Sequence, residues 1–143
     1  MTRVDFYLPG PDAPDNRFGL ACRLADKAYR QGRRVYLHAA SAEQARHLDR
    51  LLWTFREQSF VPHGLTGQVD PVLTPVLLGW QAPPEDENDV LINLAPEVPA
   101  FFSRFRRLAE PLDVEPGIRE AGRERYRFYR DRGYPLETHQ IGA

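Results

Sequence analysis

The sequence predicts a single α/β domain with a mostly parallel central sheet flanked by helices. Three observations lead there. The first half of the chain alternates strand-like and helix-like segments over short links, the pattern of parallel strands joined by right-handed crossovers. Two short apolar runs, Val76-Leu77-Leu78-Gly79 and Val90-Leu91-Ile92-Asn93-Leu94, suit strands covered on both faces. A chain of 143 residues supports one core, and two independent cores would each be small, so residues 1–143 are expected to form one domain.

Taken in order, Arg3-Val4-Asp5-Phe6-Tyr7-Leu8 alternates and is rich in strand formers, and Pro9-Gly10-Pro11 ends it. Between about Asn16 and Gln31 the residues Leu20, Leu24 and Ala28, with neighbouring Ala21, Ala25 and Tyr29, recur at helical spacing, and Gly32 supplies the stop. A second strand follows over residues 33–39. Ser41-Ala42-Glu43-Gln44 matches a capping box, in which the hydroxyl and the Gln side chain each satisfy an exposed backbone N–H. The helix it opens is expected to bury Ala45, Leu48, Leu51, Leu52 and Phe55. Residues 81–89 are polar, acidic and contain proline, which reads as a surface loop. Pro96 to Arg107 is expected as a short helix presenting Phe101, Phe102 and Phe105, and Leu112-Asp113-Val114 as a last strand. A final helix runs from Pro116 to about Gly133, with proline in its first turn and glycine at its end. Internal repeats and low-complexity tracts are not seen.

Composition narrows the classes. Hydrophobic residues at 42% and charged residues at 27% are ordinary for a globular chain and argue against general disorder. No stretch approaches the roughly 20 apolar residues of a membrane-spanning helix. The N-terminus runs straight into a strand, without the apolar segment and cleavage site of a signal peptide. Cys22 is the single cysteine, expected as a small buried side chain on the first helix, so neither an internal disulfide nor a thiolate zinc cluster can form. A cytoplasmic location is expected. The net charge of −1, from 19 basic and 20 acidic residues, does not favour wholesale attraction to nucleic acid. Lys27 is the lone lysine; the other basic residues are arginines, the better partners for carboxylates.

The link after the first strand, Pro9-Gly10-Pro11-Asp12-Ala13-Pro14, has neither the G-x-G-x-x-G nor the G-x-x-x-x-G-K-[ST] spacing, and its prolines lack the N–H groups that cradle phosphate. Dinucleotide or ATP binding there is not expected, and no cofactor is called for. His38, His47, His63 and His139 are scattered, and neither a carboxylate pair nor a G-x-S-x-G elbow stands out, so no catalytic or metal-binding residue is assigned.

Two segments do attract attention. Leu51-Leu52-Trp53-Thr54-Phe55, followed by Ser59-Phe60-Val61-Pro62-His63-Gly64, places large aromatics at a helix end and in a loop. They are either core packed beneath that loop or an exposed apolar patch of the kind that marks a protein interface. In the final helix, Arg119, Arg123, Tyr126 and Arg130 are spaced 4, 3 and 4 apart and share one stripe. That stripe is either a solvated face paired with Glu120, Glu124 and Asp131 or a clamp for an acidic peptide bearing an apolar residue. Phosphate-backbone binding by the helix is disfavoured by the interleaved acids.

The segments together resemble the chi subunit of bacterial DNA polymerase III, an accessory protein of the clamp-loader complex. The likeness spans nearly the whole chain. It rests on Val4-Asp5-Phe6-Tyr7-Leu8, Gly32-Arg33-Arg34-Val35-Tyr36, Leu48-Asp49-Arg50-Leu51-Leu52-Trp53, Ser59-Phe60-Val61-Pro62-His63, Asp89-Val90-Leu91-Ile92-Asn93-Leu94 and Arg123-Glu124-Arg125-Tyr126-Arg127-Phe128-Tyr129. The combination of Leu-Trp and Ser-Phe-Val-Pro-His with a late Arg-Glu-Arg-Tyr is its most specific part. Residues 65–75 and those after His139 lend it no support.

The resemblance implies a Rossmann-like fold without a phosphate-binding loop, and two protein partners. One is the psi subunit of the clamp loader, bound through the positions held here by Trp53, Phe60, Pro62 and His63. The other is the acidic, phenylalanine-ended tail of single-stranded DNA-binding protein (SSB), bound near the final helix. Its positions are Arg119, Arg123 and Tyr126, with Leu112 and Thr138 beside them; Arg130 completes the stripe read from spacing. The expected function is that of a non-enzymatic replication adaptor whose contact with nucleic acid is mainly indirect. The competing readings are a small nucleotide-binding or hydrolytic α/β enzyme and a module that binds single-stranded DNA directly.

Overall fold

The structure, a computed structural model, describes residues 1–11 and 16–141. Asp12-Ala13-Pro14 of the first link therefore lie outside the described residues. The elements are β1 (Arg3–Pro9), α1 (Arg17–Arg30), β2 (Val35–His38), α2 (Ala42–Thr54), β3 (His63–Leu65), β4 (Val76–Gly79), β5 (Val90–Asn93), a single 3-10 turn (Phe102–Arg104), β6 (Arg107–Pro111), α3 (Pro116–Asp131) and β7 (Leu136–Ile141). The strands form one sheet in the order β3-β4-β2-β5-β6-β1-β7, and every neighbouring pair is parallel. This is the Rossmann-like α/β architecture expected from the alternation of elements.

The helix ends follow from local chemistry. The Asn16 side chain accepts from the Phe18 and Gly19 N–H groups, and Ser41 Oγ from Gln44 N at 3.1 Å. Gln44 Oε1 in turn accepts from Ala40 N at 2.8 Å, so the capping box closes one residue earlier than its ideal form. Glu115 caps α3, with Pro116 at its first position. Past α1 and α3, Gly32 and Gly133 adopt φ of +79°, the left-handed turn that glycine makes without steric penalty.

Pleating divides the apolar side chains between two faces. Val35, Leu37, Val76, Leu78, Val90 and Ile92 pack under α1 and α2 with Cys22, Ala25, Leu48 and Leu52. Val4, Phe6, Tyr36, Leu77, Leu91 and Leu108 pack on the opposite face under α3 and the 3-10 turn with Phe102, Phe105 and Tyr129. Leu51 and Phe55, expected to be buried, are half-buried against the first cluster.

Several boundaries differ from expectation. Pro96–Arg107 is not a helix: Pro96 and Pro99 interrupt it, one 3-10 turn remains, and Arg107 already belongs to β6. Phe102 and Phe105 are nonetheless buried. The strand expected at Leu112–Val114 lies earlier, at Arg107–Pro111. Pro111, which reads as a terminator, occupies the last strand position, beyond the register with β5 that stops at Ala109. β3 and β7 were not expected at all. Both are edge strands: β3 has only three residues, and β7, Leu-Glu-Thr-His-Gln-Ile, reads as a polar tail because much of it faces water.

Two candidate docking surfaces

The final helix meets the sheet through a buried polar core. Glu110 on β6 is fully buried and accepts from Arg125 Nε at 3.0 Å, Tyr129 Oη at 2.7 Å and Asn93 Nδ2 at 3.1 Å. Burial pushes its carboxyl above the ordinary range, with the Arg125 guanidinium pulling in the opposite direction. Arg125 also donates to Pro96 O at 2.8 Å. The inward face of α3 is therefore Gly122, Arg125 and Tyr129, and the helix cannot rotate without stranding these groups.

That orientation leaves a groove between α3 and the β1–β7 edge. Its volume is about 230 Å³. Phe6, Leu8 and Leu112 form its apolar wall with Gly122, while Arg119, Arg123, Tyr126 and Thr138 line the rest. Tyr126 is half-buried and meets Phe6 edge-on, ring centroids 5.3 Å apart. Arg119 is held in place by its own donors, Nε to Asp113 O at 3.0 Å and Nη2 to Pro9 O at 3.2 Å. Arg123 is exposed and pairs with the equally exposed Glu120, at 3.2 Å. Such a pair exchanges readily for an incoming carboxylate, since exposed ion pairs contribute only about 0–1 kcal/mol.

Of the stripe residues, Arg119, Arg123 and Tyr126 thus line one groove, joined by Leu112 and Thr138. Arg130 does not line it; it sits about a turn further on, paired with Asp131 at 3.1 Å. Phe6, Leu8 and Gly122 were missed from the sequence. The first two are more than 100 residues from the helix, and no local spacing links them. Gly122 did carry a signal, because a glycine inside a helical pattern often marks close packing. A Cβ there would stand 2.8 Å from both Leu112 methyl carbons.

The second surface lies at the opposite edge of the sheet. Trp53, at the end of α2, is 64% exposed and Phe60 is 82% exposed, so neither is core. Pro62 is exposed as well. His63 on β3 has its side chain buried under the indole, ring centroids 4.8 Å apart. Its Nδ1 lies 2.6 Å from Val61 O and its Nε2 2.9 Å from Asp49 O, which fixes the ring that the Trp53 indole meets at a tilt of 58°. The indole is held outward by the fold rather than displaced from the core.

Asp5, Glu137 and His139 bring three possible ligand atoms within 4.8 Å of one another. Asp5 is already met by Arg107 at 3.3 Å, Arg3 at 3.4 Å and His139 at 2.9 Å. A carboxylate already paired with two guanidinium groups suits an ion-pair network, and their positive charge disfavours a metal ion beside it. Among the described residues no helix is long and apolar enough to cross a membrane.

A family model for the DNA polymerase III chi subunit (HolC) matches residues 1–137. The chain belongs to the DNA polymerase III chi-subunit family. Relatives described as DNA polymerase III subunit chi include a Pseudomonas aeruginosa protein, 48% identical over 141 residues, covering 99% of this chain and 98% of that protein. An Escherichia coli relative is 33% identical, covering 96% of this chain and 97% of its own length. One from Haemophilus influenzae is 32% identical, covering 86% of each. All three descriptions name a subunit of a polymerase complex, consistent with a chain that presents grooves and patches for other proteins.

Proposed function

We propose that this chain is a non-catalytic adaptor of the replicative polymerase, joining the clamp loader, through psi, to the acidic C-terminal tail of SSB. The observation that carries the reading is the α3–β7 groove, an apolar slot with a displaceable guanidinium at its rim. A phenylalanine-ended tail supplies what the groove lacks: a ring for Phe6, Leu8 and Leu112, and a terminal carboxylate for Arg123. Upstream aspartates fit the remaining arginines of the helix. Charge-assisted hydrogen bonds of this type contribute roughly 1.5–3 kcal/mol each before the ordering cost of the peptide. Two of them plus one buried ring correspond to about micromolar affinity. At the other edge, Trp53, Phe60 and Pro62 offer a psi subunit an aromatic anchor of the kind that dominates interface energetics.

The test is a titration of the whole protein with a synthetic acidic peptide ending in phenylalanine. Arg123→Ala is expected to weaken binding by at least about tenfold, the loss of one charge-assisted pair. Raising the salt concentration is expected to weaken it further, because the pair is exposed. Unchanged affinity in Arg123→Ala removes the groove from the reading. Tight binding of bare single-stranded DNA without any coating protein favours direct nucleic-acid recognition instead.

A further inference from the structure

A second cavity lies where the chain changes direction across the sheet. β2 and β5 are neighbours, but β2 leads through α2 towards β3 and β4 on one side, whereas β5 leads to β6 on the other. In open parallel sheets such a divergence leaves a crevice beyond the carboxyl ends of the strands, the usual ligand position of doubly wound folds. Here that crevice is a cavity of about 250 Å³. Ala40, Leu94 and Pro96 wall it from the strand ends and Ile118 from α3, and two guanidinium side chains, Arg17 and Arg125, reach it from either side.

The helix ends do not supply its polarity. The N–H groups at the start of α1 are taken by Asn16 and those of α3 by Glu115. What remains is the arginine pair. Arg125 is spoken for by Glu110 and Pro96 O. Arg17 lies over the Phe18 ring at 4.9 Å and donates from Nη1 to Leu94 O at 3.1 Å, while its buried Nε has no hydrogen-bond acceptor among the described residues. A buried N–H of a charged group without an acceptor is an unfavourable arrangement that an anionic oxygen would relieve. Burial also holds the Arg17 guanidinium below its ordinary range, with Asp113 and Glu115 acting in the opposite sense. Asp113 meets Arg17 through the backbone N–H, at 3.4 Å.

We propose that this crevice binds a phosphomonoester, its oxygens on Arg17 with Arg125 behind, and its organic group against Leu94, Pro96 and Ile118. A phosphomonoester carries about −1.5 to −2 charge near neutrality and several acceptor oxygens, which suit the Arg17 guanidinium; Arg125, already neutralised by Glu110, adds no second free charge. The volume falls below the roughly 300–1,000 Å³ of ordinary ligand pockets, so a dinucleotide does not fit and a mononucleotide-sized group is the upper limit. That chemistry has two sources, a free mononucleotide or the 5′-phosphate end of a DNA strand. The site is distinct from the α3–β7 groove and does not rest on the peptide reading.

The experiment follows the Arg17 side-chain Nε–H resonance by NMR in the full chain. It is titrated with deoxyadenosine 5′-monophosphate, with a 5′-phosphorylated oligonucleotide, and with the same oligonucleotide lacking the phosphate. A saturable shift is expected with the phosphate-bearing compounds and none with the third. Stronger binding of the phosphorylated strand assigns the DNA end; stronger binding of the mononucleotide assigns the free compound. Arg17→Gln is expected to weaken phosphate binding by about tenfold or more. It should leave the acidic-peptide affinity of the groove unchanged. The proposal is overturned by the absence of a saturable shift at millimolar concentrations, by equal response to the unphosphorylated strand, or by wild-type affinity in Arg17→Gln. Should Arg17→Gln not fold, the shifts in the unaltered protein decide.

Discussion

Gly122 sets the depth of the α3–β7 groove. With no side chain, it lets α3 settle onto Leu112, whose methyl carbons would lie 2.8 Å from any added Cβ. Gly122→Ala must therefore push Leu112 aside or lift the helix. It is expected to lower stability by about 1–3 kcal/mol, the usual cost of overpacking, and to reduce acidic-peptide affinity at the same time. Denaturant unfolding and a peptide titration measure the two effects, with Glu124→Ala on the exposed face as a control that changes neither by much. A Gly122→Ala protein that binds the peptide as before would show that Leu112 is not part of the ring pocket. At this scale legibility was uneven. Helical spacing brought Arg119, Arg123 and Tyr126 to one side, but it could not show that Arg130 falls beyond the groove or that Phe6 and Leu8 close it. Those facts depend on which strand lies beneath the helix.

Helix α3 is held to the sheet by a charge pair where a layer of leucines would serve in many domains. Removing one member of a buried pair typically costs 3–5 kcal/mol because the other is left uncompensated. Arg125→Met is expected to destabilise the fold by about that amount. Adding Glu110→Leu should recover part of the loss, since it removes the stranded carboxylate but leaves the buried Tyr129 hydroxyl without its acceptor. Urea unfolding of the two variants checks both statements, and a double variant no better than the single one contradicts the pairing argument. The same element scale explains which parts of the fold could be read in advance. α1, α2 and α3 carry their own start and stop signals in Asn16, Ser41, Pro116, Gly32 and Gly133, and β4 and β5 are apolar because helices or loops cover both faces. β6 lies earlier than the sequence suggests because Pro111 reads as a break and instead occupies the last position of the strand. β3 and β7 went unread because an edge strand is polar on its open side and its pairing exists only in the assembled sheet.

Across the whole molecule the two proposed docking surfaces sit at opposite margins of one sheet, Trp53 over β3 and the groove beside β7. Among the described residues the two surfaces have no residue in common. Trp53→Ala and Phe60→Ala are therefore expected to leave stability within about 0.5 kcal/mol of the unaltered protein. Peptide affinity in the groove should not change, whereas co-purification with a psi partner should be lost. A thermal melt, the same peptide titration and a pull-down read the three outcomes; a fall in peptide affinity would reveal coupling between the margins. Seven strands at about 4.8 Å spacing put roughly 29 Å between the two edges. A span of that length keeps two occupants from colliding, so one need not leave before the other arrives. On the proposed adaptor reading, a partner anchored at one margin would also meet its counterpart at a high effective concentration, as an intramolecular encounter.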